Sequence, residues 1–169
     1  MLEAGFIRPC RYAKWVSNIV PVEKKDSRKL RVCIDFRDLN RSTLKDDYPM
    51  PIADMLINDA SGQRVISFVD GNIGYNQIFM AEEDASKTAF ICPRFVGIFE
   101  WVVMTFRLKN AGTTYQRNMN LIYHDLLRVI MDVYIDDIVI KSAAHDSHLA
   151  NLCLAFEMMR RYGLKMNPL

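Results

Sequence analysis

No apolar run in this chain is long enough to cross a bilayer, and the N-terminus lacks the pattern of a secretory leader. No membrane partner is therefore expected. Paired cysteines are also missing. Cys10, Cys33, Cys92 and Cys153 stand far apart, without the spacing of a zinc site or a disulfide framework. Four reduced thiols in an intracellular protein are the expectation, with Cys33 in an apolar strand run and read as core. His145 and His148 are three apart near a predicted helix start, but no further Cys or His stands close by, so they read as a solvated face. Repeats, low-complexity tracts and linkers are absent. A chain of 169 residues without them suits one domain, or two subdomains sharing a core.

Half of the residues are hydrophobic, enough for a sizeable interior. The net charge of +2 hides an asymmetry. Residues 1–45 hold 11 Lys/Arg against 5 Asp/Glu, and the remainder holds 11 against 15. A basic first third suits contact with a polyanion. An ordinary mixed surface remains the bland alternative to that reading.

The acidic remainder contains the most informative feature. Tyr134-Ile135-Asp136-Asp137 sits between Val133 and Ile138-Val139-Ile140. Neighbouring side chains on a strand point to opposite faces, so both acids serve one site only if the chain turns there. Two carboxylates at a hairpin tip suit a hard divalent cation, chiefly magnesium. Taken alone, the pair reads more readily as a solvated acidic turn. A third acid, Asp70, ends the apolar run Val65-Ile66-Ser67-Phe68-Val69, and Gly71 and Gly74 follow it. Two-metal phosphoryl or nucleotidyl transfer needs carboxylates from separate strands around ions about 3.5–4 Å apart.

The remaining pattern predicts strands at Ser17 to Lys24 and Lys29 to Asp35 around a turn at Asp26-Ser27. Pro49 and Pro51 introduce a short helix from Ile52 to Ala60. Further strands are predicted at Asn76 to Met80, Thr88 to Cys92 and Phe99 to Met104. A helix over Asn110 to Leu127 shows a stripe of Tyr115, Met119, Ile122 and Leu126. A last helix places Leu149, Leu152, Phe156 and Met159 inward, with Gly163 as its C-cap. Strands and helices in this mixed order predict an α+β fold with an antiparallel sheet.

Six blocks, in order, carry a resemblance. They are Arg31-Val32-Cys33-Ile34-Asp35-Phe36-Arg37-Asp38-Leu39-Asn40, Lys45-Asp46-Asp47-Tyr48-Pro49-Met50-Pro51, and Phe68-Val69-Asp70-Gly71-Asn72-Ile73-Gly74-Tyr75-Asn76-Gln77-Ile78. Lys87-Thr88-Ala89-Phe90, Leu108-Lys109-Asn110-Ala111-Gly112-Thr113-Thr114-Tyr115-Gln116 and the Tyr-Ile-Asp-Asp box complete them. The chain resembles the reverse transcriptase domain of a gypsy-type LTR retrotransposon Pol polyprotein, of the kind common in plants.

That resemblance implies the right-hand polymerase architecture, with an antiparallel palm sheet and helices packed on it. Fingers would cover about 1–44 and 78–110, and palm about 45–77 and 111–169, with thumb and ribonuclease H segments absent. It implies an RNA-directed DNA polymerase that extends a primer on an RNA or DNA template from deoxynucleoside triphosphates. Asp70 and Asp136 would hold two Mg2+ ions (Mn2+ as substitute), Asp137 would support them, and Gly71 would add its carbonyl. Lys24 and Arg31 flank the basic hairpin and would meet the triphosphate, with Lys25, Arg28 and Lys29 as rivals for the place of Lys24. Tyr75 would gate the sugar and Gln116 would lie near the nucleotide. The remaining Pol segments would be partners, and cytoplasmic element particles the location. One position departs from the family, which usually has Phe-Gly-Leu where this chain has Phe106-Arg107-Leu108. Glycine at a turn serves positive φ or close approach, so Arg107 predicts strain or a crowded pocket. An inactive remnant that at most binds nucleic acid is the alternative this raises. An RNA-templated RNA polymerase is disfavoured by Tyr75.

Overall fold

Short β-branched runs, broken by Gly and Pro, set the order of elements. The computed structural model describes residues 1–24, 27–71, 74–93 and 96–167, and for residues 23–24, 27–31 and 53 it describes the backbone alone. In chain order the elements are β1 (Ile7–Pro9), β2 (Val16–Ser17), β3 (Ile19–Lys24), β4 (Ser27–Ile34), α1 (Arg37–Ser42), α2 (Ala53–Ala60) and β5 (Val65–Asp70). A 3₁₀ turn (Gly74–Gln77), α3 (Glu82–Ala85), β6 (Ala89–Cys92), β7 (Gly97–Trp101), α4 (Ala111–Ile122), β8 (Met131–Tyr134), β9 (Asp137–Ser142) and α5 (His145–Arg161) follow. Two compact units form, Met1–Lys45 with Ile78–Ala111, and Asp46–Gln77 with Gly112–Leu169.

The first unit holds a four-stranded sheet, β1-β7-β6-β2, and the β3-β4 hairpin. Its core is Ile7, Ile34, Phe36, Leu39, Phe90, Phe99, Trp101 and Val103. Phe90 stacks on Phe99 at 6.4 Å and tilts against Trp101 at 6.3 Å. Buried Glu100 accepts from Arg8 Nε at 2.7 Å, which satisfies a carboxylate that would otherwise be costly to bury. Pro21 lies in a two-stranded ribbon, where its missing N–H costs no inner ladder bond.

In the second unit, β5-β9-β8 form an antiparallel sheet. Ser67, Ile140 and Met131 share one rung, and Val69, Ile138 and Val133 another. Cross-strand partners share a face, so both rungs point the same way. Helix α5 packs on β9 on this face: His148 hydrogen-bonds Ser67 through Nε2 and Ser142 through Nδ1, each at 2.8 Å. A fully buried ion pair, Lys141 Nζ to Asp132 Oδ2 at 2.6 Å, ties β9 to β8.

Several elements depart from the pattern of the sequence. His148 is buried, because its two nitrogens satisfy two inward serines. The inward face of α5 is therefore His148, Ala155 and Met159, and Leu149 is 71% exposed. The strand predicted at Asn76 to Met80 is the 3₁₀ turn, after which Phe79 makes one isolated bridge to Val103. Helix α4 stops at Ile122, since the chain must reverse before β8, and Arg128 reverses it at φ 63°. The short helix α1 was not legible; Asp35 accepts from the Arg37 amide at its start. Asp26, expected at the fingers turn, lies outside the described residues.

Arg107 has φ 71°, the left-handed conformation that a glycine would take freely. Asn40 holds this bend at both ends. Its Nδ2 donates to Arg107 O at 2.7 Å, and its Oδ1 accepts from Lys109 N at 2.8 Å. The Arg107 side chain is exposed, so it gains no burial in return. Arg107→Gly should stabilise the chain by about 1 kcal/mol, the size of the left-handed penalty. The denaturant midpoint should rise at unchanged slope. A lower midpoint would show that the guanidinium, and not the backbone, governs this turn.

Candidate active site

Strands β8 and β9 are joined by two residues, Ile135 and Asp136, with Tyr134 paired to Asp137 across the hairpin. Two-residue hairpins need positive φ at one or both loop positions, because only such turns follow the strand twist. Ile135 supplies it at φ 54°, while Asp136 stays at negative φ, the pattern of a type II′ turn. A β-branched residue is strained there, at a cost of about 1–3 kcal/mol. Gln116 on α4 meets the turn. Its Oε1 accepts from Ile135 N at 2.7 Å, and its Nε2 donates to Val133 O and to Asn120 Oδ1, both at 2.9 Å. Asn120 in turn donates to the Tyr48 hydroxyl at 2.7 Å.

The turn delivers the acids. Asp70, the last residue of β5, lies directly opposite Asp137, the first residue of β9. Asp136 is next to them in the loop, and its carbonyl accepts from Gly71 N at 3.2 Å. Burial raises the Asp136 carboxyl above the usual range, and the charges of Asp70 and Asp137 raise it further. Its Oδ1 is buried with no hydrogen-bond partner among the described residues. It faces Gly74: a Cβ there would lie 2.1 Å from that oxygen and 2.9 Å from the Tyr115 hydroxyl. Tyr115 is raised by burial and then by Asp136, and its ring tilts against Tyr75 at 5.4 Å. Tyr75 is itself raised by burial, then by Asp136.

Among the residues named from the sequence, Asp70, Gly71, Tyr75, Gln116, Asp136 and Asp137 all belong to the second unit. The first, second, third and last two gather at the hairpin end of the sheet. Gln116 is also there, but it is 0% exposed and its amide is engaged within the protein. Among the described residues, no three His, Cys, Asp or Glu side chains are already grouped around one point. An orphaned buried carboxylate oxygen beside two further carboxylates, all hard oxygen donors, nevertheless fits a divalent cation. Lys24 and Arg31 belong to the first unit, on β3 and β4, where Arg31 pairs with Val22 and Lys24 with Ser27. Their side chains lie outside the described residues.

Tyr115, Gly74 and Asn120 were not recognised as site residues in the sequence. Tyr115 read as a core stripe residue, which its ring is, and the reach of its hydroxyl depends on tertiary packing. Gly74 carried the one available signal, a glycine four residues beyond an acid. Gly74→Ala should displace the Asp136 carboxylate and lower divalent-cation affinity on the order of 10-fold or more. Manganese titration followed by electron paramagnetic resonance would read it. An unchanged affinity would mean that the Asp136 oxygen facing Gly74 is not a ligand.

Residues 22–169 match the family described as reverse transcriptase (RNA-dependent DNA polymerase). The chain is 37% identical over 170 residues to the retrovirus-related Pol polyprotein from transposon 297 of Drosophila melanogaster, covering 98% of this chain and 16% of that polyprotein. It is 31% identical over 156 residues to that of transposon gypsy from the same fly, covering 90% and 15%. The enzymatic polyprotein of cauliflower mosaic virus (strain CM-1841) is 30% identical over 142 residues, covering 84% and 20%. Among solved structures, the foamy viral protease-reverse transcriptase in complex with RNA/DNA hybrid superposes with a TM-score of 0.86 at 18% identity, covering 98% of this chain and 22% of that one. That likeness shows the shared α+β fold. A match spanning most of the chain, over the hairpin, the glycines and the three acids alike, makes this chain a member of the reverse transcriptase family.

Proposed function

We propose that this chain carries the polymerising centre of an RNA-directed DNA polymerase. The observation that carries the reading is the rung in which Asp70 faces Asp137, with the partly buried Asp136 beside it in the turn. The first unit corresponds to fingers and the second to palm. Asp70 and Asp136 would hold two magnesium ions, with the Gly71 carbonyl as a further oxygen donor and Asp137 as electrostatic support. Bound there, the ions would favour attack by the primer 3′-oxygen and offset charge on the departing pyrophosphate. The new bond joins the 3′-oxygen to the α-phosphorus of a deoxynucleoside triphosphate, and the bond to pyrophosphate breaks.

The chain's own residues position these groups. Tyr75, whose hydroxyl feels the Asp136 charge, would present its ring to the nucleotide sugar, and its bulk would leave no room for a 2′-hydroxyl. Lys24 and Arg31 on the basic hairpin would meet the triphosphate as a point charge and a planar fork. A template with its primer would be the macromolecular partner, and the other segments of a Pol polyprotein, thumb and ribonuclease H, would complete its grip. No helix among the described residues is long and apolar enough to cross a membrane. Element particles in the cytoplasm are the proposed location.

A second reading, an inactive remnant, is favoured by one observation: Arg107 occupies a left-handed position that glycine suits. Primer extension on an RNA template, by the chain joined to a relative's thumb, separates the two. Deoxynucleotide incorporation that needs magnesium and is lost in Asp136→Asn supports the polymerase. Incorporation seen only after Arg107→Gly supports the remnant. Tyr75→Val should admit ribonucleotides, and unchanged sugar discrimination would remove Tyr75 as the gate.

Asp136 also predicts a pH effect in the metal-free chain. A carboxyl raised on folding ionises at a cost, so its contribution to stability is fully present below the ordinary Asp range and lost as pH rises through the raised value. Asp136→Asn should therefore be more stable than wild type at neutral pH in chelator, by roughly 0.2–1 kcal/mol for removing a like-charge neighbour. The gap should close as pH falls below the Asp136 pKa, and magnesium should narrow or reverse it. Melting curves across pH would check this, and equal stabilities at neutral pH would mean that the carboxylates do not repel.

A further inference from the structure

The amide of Gln116 has two N–H donors, and both are used: one on Val133 O and one on Asn120 Oδ1. Its oxygen holds the Ile135 amide at 2.7 Å. The side chain is 0% exposed. To touch a nucleotide it would have to leave three hydrogen bonds and a buried position. What it touches instead is the turn, on both sides of Tyr134. It thus secures the loop residue that sits at positive φ, one position before Asp136. The hold continues outward through Asn120 to Tyr48, whose ring lies 4.6 Å beneath the Arg117 guanidinium. Arg117 in turn pairs with Asp46 at 2.6 Å.

We infer that Gln116 is a positioning residue for the carboxylate hairpin and not a nucleotide ligand: it holds Ile135 in a conformation that residue does not favour, and so sets where Asp136 and Asp137 stand. The inference rests on the reading of this hairpin as the metal-binding one, and it assigns that site a support. An isoleucine at φ 54° relaxes toward negative φ unless its amide is held, and such a rotation swings the following residue. Glycine has no such preference, so glycine at position 135 should make the clamp dispensable.

Two measurements test it in the full chain. The first is amide hydrogen exchange in the wild type without metal. The Ile135 amide, though in a two-residue loop, should be protected, and exchange at the unstructured rate overturns the inference. This arm needs no variant and stands even if one fails to fold. The second is manganese binding, read by electron paramagnetic resonance. Gln116→Leu should weaken binding by about 10–100-fold, the usual effect of removing a support behind a metal ligand. Adding Ile135→Gly to that variant should restore most of the loss. A packing role alone would not be rescued by glycine, so absence of rescue overturns the inference, as does an unchanged affinity in Gln116→Leu. A wild-type chain that binds no manganese is a different result: it sinks the polymerase reading, while the exchange measurement still decides the clamp.

Discussion

A two-residue turn closed by isoleucine at positive φ is the constraint on which the candidate site depends. The strand twist demands that conformation, and the residue resists it. A loop under such strain keeps one geometry only when its surroundings over-determine it. Here they do so through a buried amide with every donor used, seated on α4 and tied onward to Asn120 and Tyr48. Helix α4 is thus the base of the hairpin as well as a layer of the core.

The acids placed by that turn are arranged against stability. Asp70 and Asp137 face one another across a rung, and Asp136 adds a third charge with one oxygen left unpartnered among the described residues. A fold selected for stability alone would pair or remove them. The buried acid elsewhere in the same unit is treated that way: Asp132 is held by Lys141 at 2.6 Å. The contrast between two acids of one hairpin, Asp132 compensated and the partly buried Asp136 left with an open oxygen, is what the proposed metal site would account for. Gly74 sharpens the contrast, because no side chain larger than hydrogen fits between its Cα and the open oxygen.

The first unit has its own core and its own exception. Phe90, stacked on Phe99 and tilted against Trp101, anchors its sheet, and the Asn40 amide braces the bend at Arg107. Both units therefore solve the same local problem, a non-glycine residue at positive φ, with the same device. A side-chain amide bonds one backbone group of the strained residue and one two positions away. In the second unit the amide is buried and the turn carries carboxylates; in the first the turn is exposed and carries an arginine.

Local pattern was enough to read some of this. Asp70 at the end of an apolar run and two Asp inside another are visible without a structure, because turns and strand ends are written in neighbouring residues, and the family resemblance marked position 107 as one where glycine is usual. The helices around Ala53–Ala60 and His145–Arg161 were legible for the same reason. Registers and inward directions were not. Alternation shows that a strand has two faces but not which residue of a distant strand stands opposite, so nothing local says that Asp70 meets Asp137 and not Asp136. Polarity pointed His148 outward, and the family resemblance put Gln116 near the nucleotide. Both face in, since a polar side chain is welcome inside once its partners are there, and those partners are two serines on other strands and the backbone of a turn. The sequence by itself determined which chemical groups are present and where the chain bends. Only tertiary structure decided which of them meet, because hydrogen-bond partners and cross-strand neighbours are set by packing between segments far apart in the chain.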